Sequence, residues 1–409
     1  MPQVAGTVRK EDCVRRVLGL GIALVWMAAA TGCFAQARAA RDPLRQTALT
    51  LEQQGRNSEA EAAWRSFLKD HPNDPEPYAH LGLLAARQEH YKEAIPLYHK
   101  ALTLGPQIPS VLLNLGLAQF KGGELRESIA TFEPLLKREA PASPTAQQLT
   151  LLIGMAHYGL AEYAAAAPYL QQAADSDPNS LPLLLALAHS YLWSKQSRLV
   201  LDVYKKILLI NPDSAEADML AGEALDEMKD NEGSTKMFRA AVKANPKEPN
   251  VHFGLGYLLW SQKQYPEAAG EFQAELANDA NHAQAMLYLA DSDVQMNQMA
   301  AAQPLLEKAI QLDPSLALAH LDLGIIYSDA GHNEDALREL TTAAKLTPDD
   351  VNVHWRLGRL YRTMGRKDEA RAEFDKASKL NKAADDDLYK KIANGAAHPP
   401  QAKTDPAQK

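Results

Sequence analysis

Small and bulky apolar residues return at fixed places in a 34-residue period between about residues 41 and 384. When each period is counted from 31 residues before a recurring proline, position 8 is small throughout: Ala48, Gly82, Gly116, Gly154, Ala188, Gly222, Gly256, Ala290, Gly324 and Gly358. Position 24 is bulky and apolar throughout: Trp64, Tyr98, Phe132, Leu170, Tyr204, Phe238, Phe272, Leu306, Leu340 and Phe374. The pattern predicts two helices per period that cross at position 8, because only a small side chain permits close approach.

Prolines mark the end of each period. Pro178, Pro212 and Pro246 are 34 residues apart, and they stand where a helix must stop. Between Pro106 and Pro144 the spacing is 38, which indicates a four-residue insertion near residues 140–144. Position 27 is less regular: alanine fills it in six periods, but Phe67, Leu135, Ile207 and Glu275 interrupt the series.

This combination resembles the tetratricopeptide repeat (TPR) family, whose 34-residue unit carries small and aromatic residues at these positions and a closing proline. The resemblance implies an all-α fold, a right-handed superhelical α-solenoid of about ten helical hairpins. Each hairpin would bury its apolar face only against its neighbours. The predicted repeats are 41–74, 75–108, 109–146, 147–180, 181–214, 215–248, 249–282, 283–316, 317–350 and 351–384.

The end of the chain predicts a capping helix over residues 385–395. Three aspartates at 385–387 can cap its start, Leu388, Tyr389 and Ile392 form one apolar stripe, and Gly395 follows as a stop. Such a helix would cover the last repeat of a solenoid. Residues 396–409 are expected to be disordered.

The N-terminus has the pattern of an export signal over residues 1–37. Basic residues precede the apolar stretch 17–30, and Ala35 and Ala37 fit the small-residue pattern of a cleavage site. Two alternatives stay open. Cys33 follows a lipobox-like segment and could be lipidated, or the stretch could remain as a membrane anchor. All three interpretations place the main body outside the cytoplasm, in the periplasm or secreted, and any membrane contact would come through the N-terminus.

Charge and composition narrow the function. The formal net charge of −8 argues against nucleic-acid binding, which usually needs a basic surface. Both cysteines, Cys13 and Cys33, precede the repeats, so no disulfide can staple the array. The segments leave no room for a catalytic domain, so we expect no enzyme activity, no cofactor and no metal site. His252, His320 and His354 share position 4 of their repeats, which repeat symmetry explains as a packing position.

The resemblance implies that residues exposed on the first helix of each repeat line a binding groove. Candidate groove residues are Tyr158, Trp193, Glu223, Asp226, Phe253, Tyr257, Trp260, Tyr288, Asp291, Asp322, Arg356, Arg359 and Arg362. The middle of the groove would be aromatic and acidic and its C-terminal end basic, which suits a peptide or partner helix with basic and apolar residues. Alternatively, the aromatic residues fill gaps between helices and the acids are solvated.

Two binding roles follow for the partner protein or peptide. One is an exported scaffold or adaptor of the cell envelope. The other is a membrane-tethered assembly factor for pilus, outer-membrane or polysaccharide machinery, while an accessory subunit of an enzyme complex is a weaker option. The sequence does not name the partner.

Overall fold

The computed structural model describes residues 42–105, 109–141 and 143–396, with side chains through residue 383. In this part of the chain it contains 20 α-helices and no strand. The predicted signal segment 1–37, Cys33 and the predicted tail beyond residue 396 lie outside the described residues. None of the described helices is long and apolar enough to cross a membrane.

The chain divides into two compact units. Unit 1 ends at Asn245 and unit 2 begins at Pro246. The helices of unit 1 are α1 (Pro43–Gln53), α2 (Asn57–Asp70), α3 (Pro75–Arg87), α4 (Tyr91–Leu104), α5 (Pro109–Lys121), α6 (Leu125–Leu136), α7 (Pro144–Gly159), α8 (Tyr163–Ser176), α9 (Leu181–Trp193), α10 (Ser197–Ile210), α11 (Ala215–Glu227) and α12 (Asn231–Ala244). Those of unit 2 are α13 (Val251–Ser261), α14 (Tyr265–Asn278), α15 (Ala283–Gln295), α16 (Met299–Leu312), α17 (Ala317–Asp329), α18 (Asn333–Leu346), α19 (Val351–Thr363) and α20 (Lys367–Ala396).

Each predicted repeat corresponds to one hairpin, with the first helices carrying odd numbers and the second helices even numbers. Within each unit, every helix packs on the next one along the chain. Positions 8 and 24 pack directly on each other: a Cβ on Gly256 would lie 2.8 Å from the ring of Phe272, and one on Gly82 would lie 2.8 Å from that of Tyr98. The all-α solenoid of TPR hairpins is therefore confirmed, and its small-residue position exists because an aromatic or leucine side chain fills the space opposite.

The turn inside each hairpin has one residue in the left-handed conformation, always at position 15 of the repeat. The ten residues are Gly55, Glu89, Gly123, Ala161, Lys195, Lys229, Lys263, Asn297, Gly331 and Gly365. Glycine adopts this conformation without steric cost, whereas a residue with a Cβ adopts it only under tertiary constraint. The backbone conformation at position 15 is therefore the same in all ten hairpins, whereas the residue type at this position varies.

The four-residue insertion lies where the sequence indicates it. The second helix α6 is short, the connection 137–143 is long, and the first helix α7 has 16 residues where most first helices have 13. Pro144 occupies the first turn of α7, where its missing N–H costs no hydrogen bond, and the Ser143 hydroxyl accepts from the Ala146 N–H at 3.1 Å. The first helix of the fourth repeat therefore begins at residue 144, three residues before the predicted boundary of that repeat.

The first helix of unit 2 is capped by a buried glutamate. Asn250, at the start of α13, has φ of 66° and no side-chain capping bond. Glu275, 2% exposed on α14, accepts instead from the backbone N–H groups of Asn250 at 3.2 Å and Phe253 at 3.1 Å. Glu275, which interrupts the alanine series at position 27, therefore replaces an N-cap side chain.

The predicted break before the capping helix is absent. Residues 385–395 continue α20, which runs without interruption from Lys367 to Ala396. The aspartates at 385–387 therefore lie inside a helix and do not start a new one, since aspartate in a helix interior costs only about 0.7 kcal/mol or less.

Candidate interaction surfaces

Three contacts between neighbouring first helices share a spacing of 31 residues. Arg45 donates to Glu76 at 2.6 Å, the Tyr158 hydroxyl meets His189 Nδ1 at 2.9 Å, and Trp260 Nε1 donates to Asp291. Each pair is separated by one repeat minus three residues, about one helical turn. In these pairs a side chain on one first helix meets the residue one turn earlier on the next, and both units contain such pairs.

In unit 1 the paired residues form an aromatic cluster on α7, α8 and α9. Tyr158 and His189 are buried and hydrogen-bonded, and the His189 ring stacks on Trp193 with centroids 5.0 Å apart. Trp193 is half-buried against Tyr163, at 4.3 Å. The predicted groove residues Tyr158 and Trp193 are thus brought together, with Tyr158 inside the cluster and one part of Trp193 open to solvent.

The predicted acidic residues of unit 1, Glu223 and Asp226, lie at the end of α11 beside Glu227. Glu223, Asp226 and Glu227 are half-buried, and Lys195 pairs with Glu227. Burial, and then the charges of Glu227 and Asp226, raise the pKa of Glu223 to about 8, which Lys195 opposes. Glu223 is therefore shifted toward its uncharged form, and this surface is less acidic than its residue count indicates.

In unit 2 the predicted aromatic residues pack against one another. Phe253 lies 6.4 Å from Tyr257 and 6.0 Å from Tyr288, and Trp260 lies 4.9 Å from Tyr288 between ring centroids. Phe253, Tyr257 and Tyr288 are buried, and Trp260 is half-buried. These contacts agree with the alternative that aromatic side chains fill the space between stacked first helices.

A line of polar residues crosses the four first helices of unit 2. Trp260 donates to Asp291, Asp322 is the residue 31 positions after Asp291, and Arg356 lies on the next first helix, α19. Asp322 is 4% exposed, and its Oδ2 has no hydrogen-bond partner among the described residues. Burial, and then the Asp291 carboxyl group, raise the pKa of Asp322 well above its ordinary value, which Arg356 opposes. The two predicted acids are therefore internal groups, and Asp322 favours its uncharged form.

The arginines on α19 are the most exposed of the predicted groove residues. Arg359 and Arg362 are exposed, Arg356 is half-buried, and none of them forms a salt bridge with a described residue. Trp355, which is 42% exposed, lies under two guanidinium groups, at 4.9 Å from Arg359 and 5.5 Å from Arg356. Trp355, Arg359 and Arg362 form what we call the arginine–tryptophan face of α19.

The sequence reasoning missed Trp355, although it lies on a first helix, where groove residues were expected. It also missed the partners of the histidines at position 4. His252, His320 and His354 each bind a glutamate 19 residues later, on the second helix of the same repeat, at 2.6 to 2.7 Å. No group of three or more His, Cys, Asp and Glu side chains in the described part of the chain could hold a metal ion.

Known proteins resemble the chain along most of its repeats. The tetratricopeptide repeat family model matches residues 45–109, 113–180, 219–283 and 321–386, and two further models of the same description match 159–223 and 283–316. Among curated proteins, the chain is 24% identical over 265 residues to the CTR9 homolog of Arabidopsis thaliana, covering 62% of this chain and 24% of that protein. It is 23% identical over 202 residues to the BBSome complex member BBS4 of Bos taurus, covering 49% of this chain and 38% of that protein.

These curated relatives are matched over less than half of their own length. Among solved structures, the chain resembles the crystal structure of YrrB, described as a TPR protein with an unusual peptide-binding site, with 19% identity and a TM-score of 0.38 over 43% of this chain and 91% of that one. The family models together cover more than half of the present sequence. The chain therefore belongs to the tetratricopeptide repeat family.

Proposed function

We propose that this protein-interaction scaffold holds its partner on the first-helix surface of unit 2, through the arginine–tryptophan face of α19. The TPR repeats support a scaffold in general terms. The proposal of this particular face rests on one observation: Trp355 is exposed, and no described carboxylate neutralises Arg359 and Arg362 beside it. Tryptophan and arginine are the residue types most enriched among binding hot spots.

The charge of the partner segment follows from which charges are free. Asp291 is engaged by Trp260, and Asp322 favours its uncharged form, so neither offers a free anion to a basic ligand. Arg359 and Arg362 are exposed cations one turn apart. We therefore expect an acidic segment with an apolar anchor beside Trp355, whereas counting residues alone favours a basic and apolar peptide for the middle of the groove.

Two labelled peptides test this choice. One carries glutamates around a central leucine pair, and the other carries lysines in the same places. Fluorescence anisotropy with the repeat-containing chain should show at least tenfold tighter binding of the acidic peptide, weakening with salt as expected for exposed charges. Arg359→Glu with Arg362→Glu should abolish the preference.

The matched control reverses two arginines away from this face. Arg65→Glu with Arg371→Glu changes the net charge by the same amount at exposed positions on second helices. If this control lost the acidic peptide as completely as the α19 variant, or if the lysine peptide bound more tightly to the wild type, the proposed face would be wrong.

We propose also that the protein works in the cell envelope, exported through residues 1–37. The support is the basic, apolar and small-residue order of that segment. Fractionation of cells expressing the full chain, with N-terminal sequencing, should find the array outside the cytoplasm and starting at Arg38. Lipid attached to Cys33 would favour the tethered alternative, and a cytoplasmic chain with an intact N-terminus would contradict export.

A further inference from the structure

A pocket of about 530 Å³ lies between the second helices of the last two repeats, with α19 as its floor. Leu357 and Tyr361 from α19 and Leu380 from α20 give it an apolar lining, and lysines surround it. Its α19 residues His354, Leu357 and Tyr361 share one side of that helix. The arginine–tryptophan face lies on the other side, so the pocket is a separate feature from the surface proposed above.

The pocket exists because two side chains are small. At the preceding junction, between α16 and α18, the corresponding positions carry Glu307 and Ile310, and Glu307 accepts a hydrogen bond from the Tyr327 hydroxyl at 3.2 Å. At the last junction these positions carry Thr341 and Ala344. Tyr361, which is equivalent to Tyr327, therefore borders open space. Tyr327 instead contacts the larger side chain of Glu307.

The rim of the pocket is positively charged. Lys345, Lys376 and Lys379 are exposed around it. Lys376 is bound to Glu373 at 2.8 Å, whereas Lys345 and Lys379 form no ion pair with any side chain that the structure describes. The rim thus has two ammonium groups, one on α18 and one on α20, that no described carboxylate neutralises.

Glu373, the one carboxylate among the described residues that line the pocket, is fully engaged. Glu373 binds His354 Nδ1 at 2.6 Å as well as Lys376, while His354 Nε2 faces the Pro348 carbonyl at 2.7 Å. Burial alone would raise the pKa of Glu373, but Lys376 and His354 hold it below its ordinary value. The glutamate is therefore a fixed internal anion that leaves Lys345 and Lys379 uncompensated.

We propose that this pocket binds a small organic anion that carries an apolar group. The volume is within the range of about 300–1,000 Å³ typical of small-molecule sites. The apolar group would lie against Leu357, Leu380 and the Tyr361 ring, and its carboxylate, sulfonate or phosphate would reach Lys345 and Lys379. Filling the space with larger side chains, as at the preceding junction, would remove the site.

The test uses 8-anilinonaphthalene-1-sulfonate as the probe, with its uncharged relative N-phenyl-1-naphthylamine beside it. Titration of the folded chain should give one site with enhanced fluorescence for the sulfonate and at least tenfold weaker binding of the uncharged compound. Lys345→Glu with Lys379→Glu should weaken sulfonate binding at least tenfold. Ala344→Ile, which changes volume and not charge, should do the same.

Lys206→Glu with Lys243→Glu is the matched control, because these exposed lysines lie on second helices of unit 1 at repeat positions 26 and 29, which are those of Lys376 and of Lys345 and Lys379. It should bind the sulfonate like the wild type. Circular dichroism and thermal melting verify that each variant is folded. The proposal is wrong if the wild type shows no site, if the uncharged compound binds equally well, or if the control loses as much affinity as the pocket variants.

Discussion

Both units place residues 31 positions apart on neighbouring first helices, but the residue types in these pairs differ. In unit 1 the 31-residue spacing joins Tyr158 to His189, a pair that can be satisfied without any net charge. In unit 2 the same spacing sets Asp322 after Asp291, and the fold pushes Asp322 toward its uncharged form. The repeat geometry therefore fixes which residues meet, while the residue types decide the chemistry of each pair.

The largest effect should come from removing the cap that only unit 2 has. Glu275→Ala restores the alanine that most repeats carry at position 27, including Ala241 in unit 1, yet it leaves two backbone N–H groups at the start of α13 without their acceptor. We expect a loss of about 2–3 kcal/mol in the free energy of unfolding of unit 2. Urea unfolding and amide exchange in α13 measure it.

Glu275→Gln keeps one carbonyl oxygen as acceptor and should lose less than the alanine variant. A solenoid of repeats can unfold in parts, so amide exchange in unit 1 serves as the internal reference and should not change. If Glu275→Ala were as stable as the wild type, the alanine that most repeats carry at position 27 would compensate fully for the lost cap.

Much of this contrast could be predicted from particular residues. Positions 8 and 24 predicted the hairpins correctly, because the residues at these positions are in direct contact, as Gly256 and Phe272 are. The pairs 31 residues apart could also have been found, since a 34-residue period and one helical turn determine the spacing. The role of Glu275 could not, because it depends on the left-handed start of α13 at Asn250, a local backbone choice that the repeat pattern does not contain.

The continuous α20 shows the opposite limit. The aspartates at 385–387 are a proper helix-start signal, and sequence reasoning interpreted them as one. A helix that is already formed continues through them at little cost, so the local signal was overridden by propagation. Among the groove candidates, Arg359 lies on the surface, whereas Asp291, at the same repeat position 9, is buried, because side-chain length and neighbour packing decide exposure at equivalent positions.

The second prediction concerns the carboxyl pair of unit 2. Asp322→Asn should raise the stability of that unit at pH 7 by about 1–2 kcal/mol, because it removes a buried acid whose Oδ2 has no hydrogen-bond partner among the described residues. Since the folded state raises the pKa of Asp322, the wild type is unpenalised below its ordinary pKa of 3.8 and loses stability as pH rises toward the folded value. The advantage of the variant should therefore grow with pH from about 4 upward.

Urea unfolding at pH 3.5, 5 and 7 measures this trend. Asp291→Asn is a useful comparison, because it also removes one charge from the pair but weakens the acceptor of the Trp260 indole. A gain that is the same at all three pH values would contradict the titration of Asp322 and indicate a packing effect.

The third prediction is a loss of stability in unit 1, opposite to the gain expected from Asp322→Asn in unit 2. Tyr158→Phe removes the hydroxyl bonded to His189 and should lower the stability of that unit by about 1 kcal/mol, since a buried partner loses its hydrogen bond. Removal of one group from the inner pair therefore destabilises unit 1 and stabilises unit 2. If urea unfolding at pH 7 gave Tyr158→Phe and Asp322→Asn stability changes of the same sign, the proposed difference between the two units would be wrong.

The smallest effect tests whether the two units share one backbone requirement at position 15. Lys229 in unit 1 and Gly331 in unit 2 both have positive φ, of 65° and 79°. Gly331→Ala should cost about 1 kcal/mol because its Cβ meets no other atom and only the left-handed backbone opposes it. Gly270, in the middle of α14, also faces open space, so Gly270→Ala should instead gain about 0.5–1 kcal/mol. Lys229→Gly should gain a few tenths of a kcal/mol, because the release of strain exceeds the added entropy of the unfolded chain. Thermal melting of the three variants would contradict a common requirement if Gly331→Ala were as stabilising as Gly270→Ala, or if Lys229→Gly lost stability.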